Sequence, residues 1–347
     1  MFKNLIVYRI DPQWRCSLDE LEQALQAAVF TPCGATQAES AGWVPPRGEA
    51  HGALVESVGG QWILRYQQEV RLLPASVVQQ RVQEKCAAIE RESGRQPGKK
   101  ERRDLKEEAR LDLLPQAFTR QSGMWVWIDP QAHWLVLDAS AQGKADAVVS
   151  LLVEHVPRLA LSLVDTAIGP QAAMAQWLLT QEAPAGFSID QECELKAGDE
   201  SRAVVRYARH PLDIDEVRQH VQAGKLPTKL AMTWEGRVSF LLTESLQLKK
   251  VALLDTVLEE GEGGADADAG FDADVALVTG ELGQLLPDLL QALGGEARTP
   301  IAAVAAALIQ VEQFPVSGSG RSSKASRGTV TGPHQAPADS APDEAPF

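Results

Sequence analysis

The chain has 347 residues, 44% of them hydrophobic, and a formal net charge of −14. That length and apolar content set an expectation of two or three compact units with a real core, and exclude a wholly disordered chain. The negative balance excludes an evenly basic nucleic-acid binder, yet its placement matters more than its total: residues 251–297 carry eleven acidic residues and no Lys or Arg, while residues 1–250 are close to neutral.

In chain order, residues 3–10 (KNLIVYRI) read as a strand rich in β-formers. Ser17 followed by Glu20 is a capping box ahead of Leu18, Leu21, Leu25 and Ala28, which predicts a helix to about residue 29. FTPCG (30–34) and GWVPP (42–46) read as loops punctuated by Pro and Gly. Residues 53–58 and 61–72 form a predicted β-hairpin around Gly59-Gly60. Pro74 opens a long helical region with Val77, Val78, Arg81, Val82, Lys85 and Ile89 at helical spacing, interrupted at Gly94, Pro97 and Gly98. A second helix spans about 99–114. Residues 123–129 and 133–138 read as paired strands, and 142–155 as a helix. An irregular stretch with a short helix near 171–180 follows.

Further on, 202–207 reads as a strand, 213–223 as a helix, and 226–234, 237–243 and 247–254 as three strands. The Gly/Asp/Glu-rich segment 259–270 reads as a loop, 274–279 as a strand and 281–293 as a helix. Strands and helices mix without a regular βαβ beat, so the expected class is α+β. The alanine-rich residues 300–312 suit one more helix, and the Ser/Gly/Pro/Ala tail from Ser317 lacks the apolar periodicity needed to fold.

Cys16, Cys33, Cys86 and Cys193 form no C-x-x-C pair, a usage that fits a reducing cytosol better than a zinc site or a disulfide framework. The N-terminal apolar run is too short for a leader, and no run reaches the ~18 apolar residues of a membrane span. A soluble cytoplasmic protein with no membrane partner is expected.

The most informative local feature is KKERRDLKEEAR, residues 99–110. At about 100° per residue, Lys99, Arg102, Arg103, Lys106 and Arg110 fall on one side of a helix, with Lys100 beside them. Glu101, Asp104 and Glu108 fall opposite. A stripe of like charges repels itself at i, i+4, and a phosphate backbone offsets that repulsion by releasing counterions. A solvated face, or a stripe facing the acidic residues 251–297, reads the same pattern. Lys225, Lys229 and Arg237 form a second basic group, and Arg202, Arg206 and Arg209 a third. In a regular strand Lys225 and Lys229 share a face. Surface strands explain both groups equally well.

NLIVYRI (4–10), FTPCG (30–34), GWVPP (42–46), LLPQAFTR (113–120), AGKLPTKLAMTW (223–234), FDADVALVTGEL (271–282) and LGGEAR (293–298) occur in the order and spacing of one family. The chain resembles the recombination-associated RdgC proteins of bacteria over residues 1–298, with two or three subdomains expected and breaks near 74–120 and 160–200. The extension 299–347 has no counterpart. The resemblance implies a curved α+β subunit, paired into a ring-shaped homodimer around double-stranded DNA. It also implies binding without sequence preference, extending to single-stranded DNA, nucleoid association, and restraint of RecA recombinase by competition for DNA. No cofactor is implied.

By position, Phe118 matches an aromatic at one dimer contact, although a large apolar residue after Pro115 is equally readable as core. Arg209 and His210 match polar residues at the second contact, which closes the ring. There the chain departs from the family's usual Lys-Gln pair, so closure is expected to use other hydrogen bonds and, through His210, to respond to pH.

Two other readings stand beside this one. The acidic stretch 251–297 suits a protein-interaction regulator of recombination that mimics DNA charge. Asp266, Asp268, Asp272 and Asp274 suit a Mg²⁺-dependent nuclease, though Phe271 stands where an EF-hand needs glycine, and a solvated acidic loop accounts for them as well. No Walker A, nucleophile elbow, H-E-x-x-H or dinucleotide fingerprint appears in a suitable context.

Overall fold

The N-terminal strand β1 (Leu5–Ile10) is apolar on both faces, and it lies at the middle of a sheet covered from both sides. In the computed structural model, which describes residues 1–49, 51–257 and 267–297, twelve antiparallel strands form one sheet. Besides β1 these are β2 (Glu39–Val44), β3 (Val55–Val58), β4 (Gln61–Arg71), β5 (Thr119–Asp129), β6 (Trp134–Asp138), β7 (Leu161–Leu163), β8 (Phe187–Ala197), β9 (Val204–Ala208), β10 (Lys225–Trp234), β11 (Val238–Thr243) and β12 (Leu248–Leu253). The helices are α1 (Leu18–Gln26), α2 (Ala75–Ser93), α3 (Lys99–Leu113), α4 (Gln142–His155), α5 (Pro170–Thr180), α6 (Asp215–Gln222) and α7 (Ala267–Ala292). The class is α+β. The expected helix at 300–312 and the tail lie outside the described residues.

The strand order is β2-β4-β5-β6-β1-β12-β11-β10-β8-β9, with β3 also on β4 and β7 also on β1. Two half-sheets meet at a narrow seam, where Leu5 pairs with Leu248 and the Val251 amide donates to the Lys3 carbonyl at 2.9 Å. In the first half, alternation sends Ile6, Tyr8, Leu64, Val126 and Leu137 to one face, under α1 and α4. Val7, Ile63, Trp127 and Val136 go to the other face and join a larger core with α5, α6 and α7.

Several sequence expectations are met for the reasons that prompted them. Ser17 Oγ accepts from the Glu20 amide at 3.2 Å while Glu20 accepts from the Ser17 amide at 2.7 Å, the reciprocal capping box. Gly59 and Gly60 both have positive φ, 59° and 84°, as a two-residue turn between twisted strands requires.

Other expectations change. FDADVALVTGEL contributes no strand: α7 runs unbroken through it and through Pro287. Val275, Leu282, Leu285, Leu286, Leu289 and Leu293 recur at helical spacing and are all buried. At roughly 1.5–3 kcal/mol each, they outweigh both the β-propensity of the valines and the ~3 kcal/mol cost of an internal proline. GWVPP begins inside β2 and not in a loop. Gly42 is needed there because a Cβ would stand 2.5 Å from the Phe30 amide nitrogen, where residues 28–30 run parallel to the strand and bridge Trp43. The polar β8 was read as irregular because only one of its faces is covered. Leu195 and Cys193 are buried, while Glu192 and Glu194 face the uncovered side among ion pairs. Among the described residues, no helix is long and apolar enough to cross a membrane.

Candidate nucleic-acid interface

The segment between β4 and β5 is a helical hairpin. Gly94, in the left-handed region at φ 69°, ends α2 and returns its N–H to the Glu90 carbonyl. Pro97 and Gly98 turn the chain, and Glu101 folds back to cap α3. Val78, Val82 and Ala109 are the buried contacts, with Leu73, Cys86, Leu105 and Leu113 packed around them. Ion pairs complete the staple: Lys85 reaches Glu108 and Asp112, each at 2.7 Å, and Arg95 grips Glu101 at 2.7 and 3.0 Å. The hydrogen bonds to Asp112 and Glu108 raise the Lys85 ammonium above its ordinary value and so keep it charged.

The consequence is a segregation of charge. Three acids of α3 are taken by cations from α2 and from the turn: Glu108 and Asp112 by Lys85, and Glu101 by Arg95. Lys99, Lys100, Arg102, Arg103, Lys106 and Arg110 are all exposed, and among the described residues none of them makes an ion pair. Arg102 spends one donor on the Pro97 carbonyl at 3.1 Å. The alternative in which the stripe faces acidic residues of α7 therefore has no ion pair to support it among these residues.

The second basic group is arranged differently. β10 carries a bulge between Pro227 and Lys229, and an inserted residue reverses the alternation. Lys225 is thereby turned toward α6, its Nζ 2.8 Å from His220 Nδ1. Lys229 meets Glu194 on the uncovered face at 3.1 Å. The shared face expected from strand periodicity does not form. Arg237 is bound bidentately by the buried Glu281, at 2.9 and 2.6 Å. Glu194 also takes Arg206 at 2.6 Å. The Arg206 hydrogen bond is the main cause that pulls the Glu194 carboxyl down to about 2, with Thr228 and Lys229 adding to it. Lys229 and Arg237 thus have carboxylate partners inside the fold, which among the described residues the stripe residues lack.

Phe118 lies at the start of β5 and is 85% exposed. The two readings of this residue separate here, because it is not core. Leu72, whose amide donates to the Phe118 carbonyl at 2.7 Å, is also exposed, as are Val77 and Leu111. Arg209 and His210 follow β9 and are exposed. Arg209 takes a left-handed φ of 55°, and the His210 ring leans on Tyr207 with centroids 5.9 Å apart. Local pattern gives little notice of Arg71, whose guanidinium donates to the carbonyl of Ala117, next to Phe118. Its only signal was the polar alternation of Gln67, Glu69 and Arg71 along a strand.

Of the four carboxylates considered for a metal, Asp266 lies outside the described residues and Asp268 falls in the first turn of α7. Asp272 is held by Arg47 at 2.6 Å. Among the described residues no cluster of three or more His, Cys, Asp or Glu is placed to hold a metal ion.

The family model described as "Putative exonuclease, RdgC" matches residues 1–296. The chain belongs to the RdgC family. It is similar to proteins named "Recombination-associated protein RdgC" from Dechloromonas aromatica (45% identical over 299 residues, 85% of this chain and 98% of the relative) and Herminiimonas arsenicoxydans (46% over 296 residues, 85% and 98%). The relative from Bordetella pertussis is 44% identical over 298 residues, 86% of this chain and 99% of its own. RdgC relatives thus match the part of the chain that carries both the helical hairpin and the long sheet.

Proposed function

We propose that this protein binds duplex DNA without sequence preference as a closed homodimer around it, and that it restrains RecA recombinase by occupying the DNA. The observation that carries the reading is the basic stripe of α3. It has six exposed Lys and Arg side chains on a helix whose acids Glu101, Glu108 and Asp112 are held by Arg95 and Lys85, which leaves the stripe's charge largely for an external polyanion. Phosphates meet that need, and their neutralisation gives affinity that is salt-sensitive and indifferent to sequence. The exposed apolar surface at Phe118 supports one self-contact. The exposed Arg209-His210 turn supports a second, which closes the ring. The recombination-associated name of the relatives agrees with a role on chromosomal DNA in the nucleoid. In this reading occupancy is the whole mechanism, single-stranded DNA is a weaker substrate for the same stripe, and no cofactor or catalytic step takes part.

The test is retention on relaxed circular and linear duplexes of one sequence and length, challenged with rising salt in EDTA, beside a Mg²⁺ sample assayed for released nucleotides. Binding to both, longer persistence on the circle and no nucleotide release are expected. Nucleotide release with Mg²⁺ replaces this reading with the exonuclease of the family description. Failure to bind either duplex moves the acidic protein-interaction reading to the front.

A further inference from the structure

We propose that Arg71, braced by Glu69, is the positioning residue that presents Phe118 to a second copy of this chain. The inference rests on the self-contact reading of Phe118 and adds the device that sets its geometry. Arg71 ends β4, and its two terminal nitrogens serve four backbone carbonyls. Nη1 donates to Leu114 O at 3.0 Å and Ala117 O at 3.2 Å. Nη2 donates to Cys33 O at 3.3 Å and Gly34 O at 3.1 Å. Leu114 and Ala117 close the 3₁₀ turn after α3, immediately before Phe118; the Leu114 carbonyl also accepts from the Ala117 amide at 3.1 Å, and helix-end carbonyls carry partial negative charge. Cys33 and Gly34 belong to the FTPCG loop. One guanidinium therefore ties together two segments about eighty residues apart in sequence, both of them blocks by which the family was recognised.

Glu69, two residues earlier on the same face of β4, fixes the other side of the clamp. It is buried, and its carboxylate accepts from the Cys33 amide at 2.9 Å and from Gln121 Nε2 at 2.7 Å. Those two bonds, Gln121 first, hold it below the usual carboxylate range. Phe118 itself gains no support from a core, since it is 85% exposed. Its direction is set by its backbone: Leu72 N–H holds its carbonyl at 2.7 Å, and Arg71 holds the carbonyl just before it. A planar fork with four directed donors holds four carbonyls in register, whereas an ammonium is a point charge with three. Lysine is therefore no substitute at this position.

The experiment is a double-mutant cycle on self-association of the full chain, read by sedimentation at 25 °C, with thermal unfolding followed in parallel. Phe118→Ala is expected to weaken the dimer by about tenfold or more, as a central aromatic anchor does. Arg71→Lys is expected to weaken it comparably. The double variant should be no weaker than Phe118→Ala alone, because residues acting through one contact are not additive. A purely structural role for Arg71 lowers the unfolding temperature but makes the fold-changes in dissociation constant multiply in the double variant, as independent effects do, and that result overturns the proposal. Should Arg71→Lys fail to fold, Glu69→Gln loosens the same clamp with the guanidinium in place, and the same non-additivity is required of it. If Phe118→Ala loses the dimer while both clamp variants keep it, the positioning role alone falls. If Phe118→Ala keeps the dimer, the self-contact reading falls and the positioning role goes with it.

Discussion

Lys85 of α2 closes on Glu108 of α3 at 2.7 Å. Each such pair removes an acidic side chain from competition with the basic stripe on the other side of α3. An isolated α3 would be nearly balanced in charge. Docked on α2, it presents a predominantly basic face, with the exposed Glu107 among its cations.

Replacing Lys99, Arg102, Arg103 and Lys106 together with alanine should therefore weaken DNA binding on every sequence and flatten its salt dependence. Each lost phosphate contact takes about 0.9 from the log–log slope, so the quadruple variant should lose about 3.6 units if all four side chains meet phosphates. Fluorescence anisotropy over a salt series measures it. An unchanged slope would take α3 out of the DNA path.

Arg237 belongs to a different kind of group. Glu281→Ala removes a bidentate partner that is itself buried; because Arg237 is 31% exposed, the expected cost is about 1.5–3 kcal/mol, that of hydrogen bonds to a charged group. Urea unfolding should show a loss of this order. Arg237→Met, by contrast, should leave the salt slope of DNA binding as it is. A shallower slope in that variant would return Arg237 to the DNA surface.

Glu194 gives a prediction for acid. Its carboxyl titrates near 2 in the folded protein, against an ordinary value of 4.5. A group with a depressed folded-state value stabilises the fold above its unfolded value and loses that contribution as pH falls through the folded one. Thermal unfolding from pH 5 to 2 should thus fall more steeply for the wild type than for Glu194→Gln. The two curves should converge toward the acid end. Parallel curves across that window would contradict the ion-pair network with Arg206 and Lys229.

Cys193 should be inert. Burial pushes its thiol up to about 12, and the thiolate is the reactive form. Iodoacetamide labelling read by mass spectrometry at pH 8 should modify Cys193 only after unfolding, with the partly exposed Cys16, Cys33 and Cys86 reacting first. Rapid labelling of Cys193 in the native protein would show that β8 opens readily.

Local rules were legible wherever one residue pair or one face carries the physics. The Ser17–Glu20 box, the Gly59-Gly60 turn and the hairpin helices emerged from spacing alone, because caps, left-handed turns and amphipathic stripes act within a few residues. β8 and α7 were misread for one shared reason: each is decided by what covers it. A polar sequence becomes a strand when Leu195 and Cys193 have a core to enter, and a valine-rich one becomes a helix when its leucines do.

The candidate site divides the same way. Sequence by itself determined the basic stripe, since angular position on a helix follows from residue number. It also placed the charge asymmetry and the blocks that mark the family. Only the tertiary structure decided that α2 absorbs the acids of α3, that the bulge in β10 separates Lys225 from Lys229, and that Phe118 stands in solvent. It alone placed Arg71 between two distant loops. These depend on long-range partners such as Glu281 with Arg237 and Cys33 with Glu69, and no local pattern encodes which distant groups will meet when the chain closes on its core.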